Sequence, residues 1–103
     1  MKPPELTDEQ RAAALAKAAE ARRVRAELKE LLKTGTITLA EVLERAEEDD
    51  IVGGIKVEAL LAAMPGTGKV KAKRIMEKYE IADNRRLRGL GERQRAGLLS
   101  EFS

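Results

Sequence analysis

LLAAMPGTGKVKAKRI, residues 60–75, is the stretch that decides the fold. A short helical pattern ends at Met64, and Pro65 stops it because proline loses a helical hydrogen bond and clashes with the preceding turn. Gly66 and Gly68 permit a tight turn with positive φ. We therefore expect two helices joined by a glycine hairpin. The residues that restart an apolar helical pattern after it are Val70, Ala72, Ile75 and Met76.

The glycine hairpin also indicates a phosphate-binding site. A helix that begins directly after the turn leaves its first N–H groups without partners, and its positive dipole end favours an anion. A nucleotide-binding P-loop is excluded, because Ala63 and Val70 stand where that loop requires Gly and Ser or Thr. A simple connector between helices remains an alternative. The expected contacts are the N–H groups of Gly66, Gly68 and Val70 and the side chains of Lys69, Lys71 and Lys73, in a hairpin completed by Pro65 and Thr67.

Several parts of the chain together resemble known nucleic-acid-binding motifs. The run from Met64 to Gly68 resembles the helix-hairpin-helix, which grips the nucleic-acid backbone. The run from Arg85 to Gln94 resembles the helix-two-turn-helix extension of a small-subunit ribosomal protein and of formamidopyrimidine-type DNA glycosylases. With Leu6 to Arg11, the resemblance extends over nearly the whole chain to the actinobacterial integration host factors.

That resemblance implies a nucleoid-associated protein that binds double-stranded DNA with low sequence specificity. It further implies effects on DNA topology and condensation, and assistance to phage integration in a complex with a phage integrase. The expected location is the nucleoid within the cytoplasm, and the expected state is a monomer. No enzymatic activity is expected.

Composition restricts the chemistry that this chain can perform. Its 103 residues suit one small domain. The chain has no cysteine and no histidine, which excludes thiolate metal sites and removes the usual general base. Asp49 and Asp50 lack a partner set for a metal or an acid–base pair and are expected to form a solvated helix end. We therefore expect no metal and no cofactor. No apolar run approaches the roughly 20 residues that cross a bilayer, so no membrane partner is expected.

The charge is distributed unevenly along the chain. Residues 1–35 carry a net charge of +2, residues 36–63 carry −5, and residues 64–103 carry +5. A solvated surface without a polyanionic partner would mix the two signs throughout. The basic excess after the hairpin therefore favours a polyanion bound by one face.

The N-terminal region predicts one long helix. Thr7 and Gln10 form a capping box, no glycine or proline interrupts residues 8–33, and Gly35 suits the left-handed cap. Apolar spacing predicts that the second half packs on the core and that the first half projects. The basic cluster near the junction is either a solvated face with local ion pairs or an arm that contacts DNA. This cluster consists of Arg22, Arg23 and Arg25.

The rest of the chain predicts an all-α fold: a long N-terminal helix plus a small helical domain. We assign residues 1–35 to the arm and residues 36–103 to the DNA-binding domain. Leu87 and Leu90 are expected to order an arginine segment that reaches phosphate or the minor groove, through Arg85, Arg86 and Arg88. Further helices are expected over residues 39–48 (capped by Thr38 with Glu41), 57–64, 69–78 and 92–99.

Three function classes other than DNA binding are compatible with parts of this sequence. RNA binding by a ribosome-associated protein would use the same motif, and it is the main alternative. A repair glycosylase is disfavoured, because Pro3 and Pro4 are not at the terminus and the catalytic domain and zinc finger are missing. A protein–protein adaptor remains open for the long helix.

Overall fold

The computed structural model describes residues 7–102 of the chain. Within that range there are six α-helices and one 3₁₀ turn, with no β pairing beyond a single isolated bridge. The expected all-α fold with a long N-terminal helix is confirmed. The elements are α1 (Asp8–Lys33), α2 (Leu39–Glu48), α3 (Asp50–Gly53), α4 (Val57–Ala62), α5 (Gly68–Lys78), the 3₁₀ turn (Leu87–Gly89) and α6 (Glu92–Glu101).

Helix α1 has the bounds and caps that the sequence predicts. The Thr7 hydroxyl accepts a hydrogen bond from the Gln10 N–H at 3.1 Å, and the Gln10 side chain accepts one from the Thr7 N–H at 3.0 Å. At the other end Gly35 has a φ of 75°. This left-handed conformation costs glycine little.

The two halves of α1 differ in their packing, as the apolar spacing predicts. Residues 8–20 are all exposed, whereas Leu28 and Leu32 are buried in the core. The long helix therefore projects at its N-terminal end and is anchored at its C-terminal end. Residues 1–6 of the expected arm and Ser103 of the expected domain lie outside the described residues.

The acidic stretch after α2 is more ordered than expected. Asp49 is not merely part of a solvated helix end: its carboxylate accepts hydrogen bonds from the N–H groups of Ile51 and Val52, at 2.8 and 3.3 Å. It thereby caps α3, a helix of only four residues that the sequence analysis missed. Thr38 caps α2 as expected, but the Glu41 carboxylate bonds the Thr38 hydroxyl rather than its N–H.

The core joins α1's second half to the helices around the hairpin. Val42, Leu60, Leu61 and Leu98 are completely buried. No charged or polar residue in the described range is buried, so the core is held by apolar contacts. The structure offers no helix in that range that is long and apolar enough to cross a membrane.

A side-chain cluster ties the end of α5 to the end of α6. The Tyr79 hydroxyl donates a hydrogen bond to the Glu101 carboxylate at 2.8 Å, and the Lys78 ammonium forms an ion pair with the same carboxylate. The Tyr79 ring lies against Gly97, where a Cβ would come within 2.4 Å of ring carbons. The hydrogen bond that Lys78 donates lowers the pKa of Glu101, and the weaker effect of the hydrogen bond from Tyr79 lowers it further.

Candidate nucleic-acid interface

The turn between α4 and α5 has the conformation that its glycines predict. Gly66 and Gly68 have φ values of 73° and 70°, in the left-handed region that favours glycine. The Thr67 N–H donates to the Met64 carbonyl at 3.1 Å and closes the turn. A Cβ placed on Gly66 or Gly68 would meet no atom within 4 Å. The protein itself therefore leaves the space beside both glycines empty.

The start of α5 presents unpaired backbone donors next to that open space. Thr67 occupies the N-cap position but makes no capping hydrogen bond through its side chain. Within residues 7–102, the N–H groups of Gly66, Gly68 and Val70 have no protein acceptor outside a helix. These donors lie too early to bond within α5, so they are free for an anion at the positive end of an eleven-residue helix.

Val70 lies outside the core, although it begins the apolar pattern of this helix in the sequence. Its side chain is 70% exposed, whereas Ala72, Ile75 and Met76 are buried. These three share one face of α5, and Val70 lies on the opposite face because each residue turns the helix by about 100°. The apolar side chain of Val70 is therefore available at the hairpin surface.

The three hairpin lysines do not form one cluster. Lys69 and Lys73 are four residues apart and share one side of α5. Lys69 borders a surface depression that is also lined by Lys56, Glu58 and Ala62. Lys71 lies across the helix and borders a different groove. That groove also contains Arg74 and Lys78.

The arginine segment is ordered, as Leu87 and Leu90 predict. Leu87 is buried and Leu90 is half-buried. Backbone hydrogen bonds of 2.9 Å run from Val57 N–H to Arg85 carbonyl and from Leu87 N–H to Ile55 carbonyl. They form an antiparallel bridge that pairs Lys56 with Arg86.

The three arginine side chains of this segment contact different parts of the protein. The Arg85 guanidinium donates to the Gly89 carbonyl at 2.7 Å, and Arg86 donates to the Gly54 carbonyl. Arg88 instead borders a cleft shared with Glu47 and Asp50. The sequence grouped these three side chains because they are neighbours along the chain, and the 3₁₀ turn separates them.

Lys56 lies between the hairpin and the arginine segment. No pattern in the sequence singled it out. It borders the same depression as Lys69 and lies opposite Arg86 in the bridge. Residues paired directly in an antiparallel bridge have their side chains on the same face. The one available signal was that Lys56 and Arg45 are the two cations of the acidic stretch 36–63.

The last residue of helix α1 lies beside the hairpin. Lys33 borders one surface depression with residues 62–68, and this lysine was also missed. Of the predicted arm residues, Arg22 is exposed and Arg25 is half-buried. Arg23 forms an ion pair with Glu27 at 3.0 Å, and both side chains are exposed.

Comparison with known proteins agrees with this architecture. A family model described as the S13-like H2TH domain matches residues 32–102. The protein called integration host factor in Mycobacterium tuberculosis is 63% identical over 99 residues, covering 96% of this chain and 94% of that protein. The chain belongs to the integration host factor family. The Streptomyces coelicolor member is 56% identical over 96% of this chain and 92% of that protein.

A solved structure places the integration host factor fold beside DNA. It is described as sIHF bound to an 8-bp palindromic DNA, and it is 51% identical to this chain. The match has a TM-score of 0.83 and covers 85% of this chain and 99% of the other. The helical arrangement around the hairpin is therefore shared within the family.

Proposed function

We propose that this chain binds the phosphate backbone of double-stranded DNA with little sequence preference. The observation that carries the proposal is the hairpin, in which two positive-φ glycines expose unpaired N–H groups at the start of α5. The DNA named in the description of the 51% identical relative supports the same partner.

The hairpin supplies main-chain contacts and its surroundings supply charge. We propose that the N–H groups of Gly66, Gly68 and Val70 hold a phosphate, in a turn shaped by Pro65 and Thr67. Hydrogen bonds from several fixed N–H groups to one anion need no reorganisation of the backbone. The cations proposed to contact further phosphates or the minor groove are Lys69, Lys71, Lys73, Arg85, Arg86 and Arg88.

The arm residues are proposed as a second group of contacts. Arg22 and Arg25 have no ion pair recorded in the described range and are included. Arg23 is included as well, because its ion pair with Glu27 is exposed to solvent and such a pair contributes little, so the guanidinium can exchange it for a phosphate. We further propose that residues 1–35 act as an arm and residues 36–103 as the DNA-binding domain, although Leu28 and Leu32 share the domain's core.

The absence of a base-reading set favours backbone recognition. Sequence-specific readers place bidentate Arg, Asn or Gln side chains against base edges in the major groove. Neither hairpin helix carries an asparagine or glutamine. Phosphate contacts fix position on a duplex without reading its sequence. Low specificity therefore follows.

A generic backbone binder suits an architectural role. We propose that the chain acts in the nucleoid of the cytoplasm as a monomer, where it alters DNA topology and condensation. Assistance to a phage integrase belongs to the same proposal and follows from the family. We propose no catalytic step, since the chain offers neither histidine nor cysteine.

Fluorescence anisotropy with a labelled duplex tests the proposal. Unlabelled duplexes of unrelated sequence should compete within about tenfold of one another, and log Kd should change by about 0.9 per log unit of salt for each phosphate contacted. Structured RNA and single-stranded DNA serve as the comparison competitors. A thousandfold preference for one duplex would contradict generic binding, and stronger competition by structured RNA would favour the ribosome-associated alternative.

A further inference from the structure

Val70 is one of two large apolar side chains that lie exposed among residues 7–102. Its side chain is 70% exposed, and the other, Leu15, lies on the projecting half of α1. A single apolar residue on a protein surface is ordinary and needs no role of its own. Val70 differs from Leu15 because its own N–H is one of the three donors proposed to hold a phosphate. Its side chain is therefore fixed next to the nucleic acid.

The helix directs the Val70 side chain toward the proposed phosphate. Val70 is the third residue of α5, which begins at Gly68. The Cα–Cβ bonds of an α-helix tilt toward its N-terminus, which is the end that holds the anion. A hydrogen bond places the phosphate oxygen about 2.9 Å from the Val70 nitrogen, and the Cβ atom is about 2.5 Å from the same nitrogen. The valine methyl groups are therefore within reach of the sugar next to that phosphate.

A groove beside Val70 continues the path of the nucleic-acid strand. Val70 lines this groove together with Lys71 and Arg74, and Thr67 of the hairpin borders the same groove. Among the described residues that line it, the one carboxylate, that of Glu101, is occupied by an ion pair with a lysine. A strand that runs from the hairpin phosphate toward these cations passes over the methyl groups of Val70.

We infer that Val70 makes this interface select deoxyribose over ribose. The inference rests on the proposed function and adds a choice between DNA and RNA to the same site. Phosphates are common to both nucleic acids, so the N–H groups of the hairpin cannot tell them apart. An RNA duplex displays 2′-hydroxyls along its minor groove, where DNA has only C–H groups at the 2′ position. A hydroxyl packed against valine loses water and gains no hydrogen bond, which weakens binding by roughly 10-fold or more.

Fluorescence anisotropy with duplexes of one sequence, made as DNA and as RNA, tests the inference. The parent should bind the DNA duplex about 10-fold more tightly than the RNA duplex. Val70→Thr keeps the shape of the side chain and adds a hydroxyl that can pair with a 2′-hydroxyl, so the two affinities should come within about twofold of each other. Leu15→Gln is the matched control, since it replaces the other exposed apolar side chain with a good helix former. It should keep the parent's preference for DNA.

An RNA duplex with 2′-fluoro sugars separates the hydroxyl from the shape of the helix. This duplex keeps the A-form but has no 2′-hydroxyl to desolvate, so the parent should bind it more tightly than ordinary RNA. If the parent rejects the 2′-fluoro duplex as strongly as RNA, helix shape sets the preference and the inference is overturned. The same conclusion holds if Val70→Thr, folded by circular dichroism, keeps the parent's preference.

Failure of the inference and failure of the proposed function give different results. If the parent binds RNA as tightly as DNA while Gly68→Val loses both, Val70 does not select the sugar and main-chain phosphate binding stands. If the parent binds neither duplex, the proposed function fails and the inference fails with it.

Discussion

Replacement of Gly68 by valine should separate main-chain phosphate binding from side-chain charge. Gly68 has a φ of 70°, and a Cβ there would meet no protein atom within 4 Å. The new side chain would therefore occupy the open space in which we place the phosphate. Its effect on stability comes from the backbone conformation, and its effect on binding comes from exclusion of the ligand.

The expected magnitudes differ for folding and for binding. A left-handed conformation costs an L-residue about 1–2 kcal/mol, and a β-branched residue lies at the upper end. For a domain of this size, 2 kcal/mol lowers the melting temperature by roughly 8–16 °C. Two hydrogen bonds to a charged group contribute about 3 kcal/mol or more, so Gly68→Val should weaken DNA binding on the order of 100-fold. Lys69→Ala removes one charge and should weaken it about 8-fold at 0.1 M salt.

Gly35→Val is the matched control for backbone strain. Gly35 has a φ of 75° and likewise has no atom within 4 Å of a built Cβ, but it follows α1 rather than the hairpin. Both valine variants should lose similar stability in thermal melts followed by circular dichroism. In anisotropy titrations at 15 °C, well below melting, Gly68→Val alone should lose most of its DNA affinity.

The reverse order of effects would refute main-chain capture. If Lys69→Ala abolishes binding while a folded Gly68→Val binds like the parent, the hairpin is a connector and side-chain charge carries the interaction. If Gly35→Val and Gly68→Val weaken binding equally, the cause is lost stability rather than an excluded phosphate.

Three further predictions concern the fold that supports the site. Gly97→Ala should lower stability by about 1–3 kcal/mol in denaturant titrations, because its Cβ would overlap the Tyr79 ring, whereas Gly91→Ala, with its nearest atom at 3.6 Å, should change little. Glu101→Gln should reduce the loss of stability on acidification: a carboxylate with a lowered folded pKa stabilises the fold above its ordinary pKa of 4.5 and loses that contribution as pH falls through the folded value. If the melting temperatures of Glu101→Gln and of the parent depend on pH in the same way from pH 3 to 6, this prediction is wrong. Asp49→Ala should destabilise the chain by about 1 kcal/mol through loss of the α3 cap, and an unaltered melting temperature would show that the cap contributes nothing.

The sequence predicted correctly those elements that are determined by residues close together in the chain. The Thr7 capping box and Gly35 fixed both ends of α1, and the hairpin glycines adopted the expected positive φ. Each of these features depends on residues within one helical turn. The four-residue α3 was missed because it is too short for an apolar period and depends on the two N–H bonds of Asp49.

The site was predicted less completely because its layout depends on long-range pairing. Lys56 approaches the arginine segment through a bridge to Arg86, thirty positions away along the chain, and no local pattern indicates that pairing. Lys33 was overlooked because it looked like an ordinary cation at a helix C-terminus. Lys69, Lys71 and Lys73 stand at alternate positions and were grouped, although helical rotation places Lys71 away from Lys69.

Amide NMR measures the central claim most directly, because the proposed donors are backbone N–H groups at the hairpin. A ¹H–¹⁵N correlation series with a short duplex at low salt should move the amide protons of Gly66, Gly68 and Val70 downfield as each donates to a phosphate oxygen. The amide of Gly35, which shares the left-handed conformation, should stay in place. The account would be contradicted if the duplex binds while the three hairpin amides keep their free-state shifts.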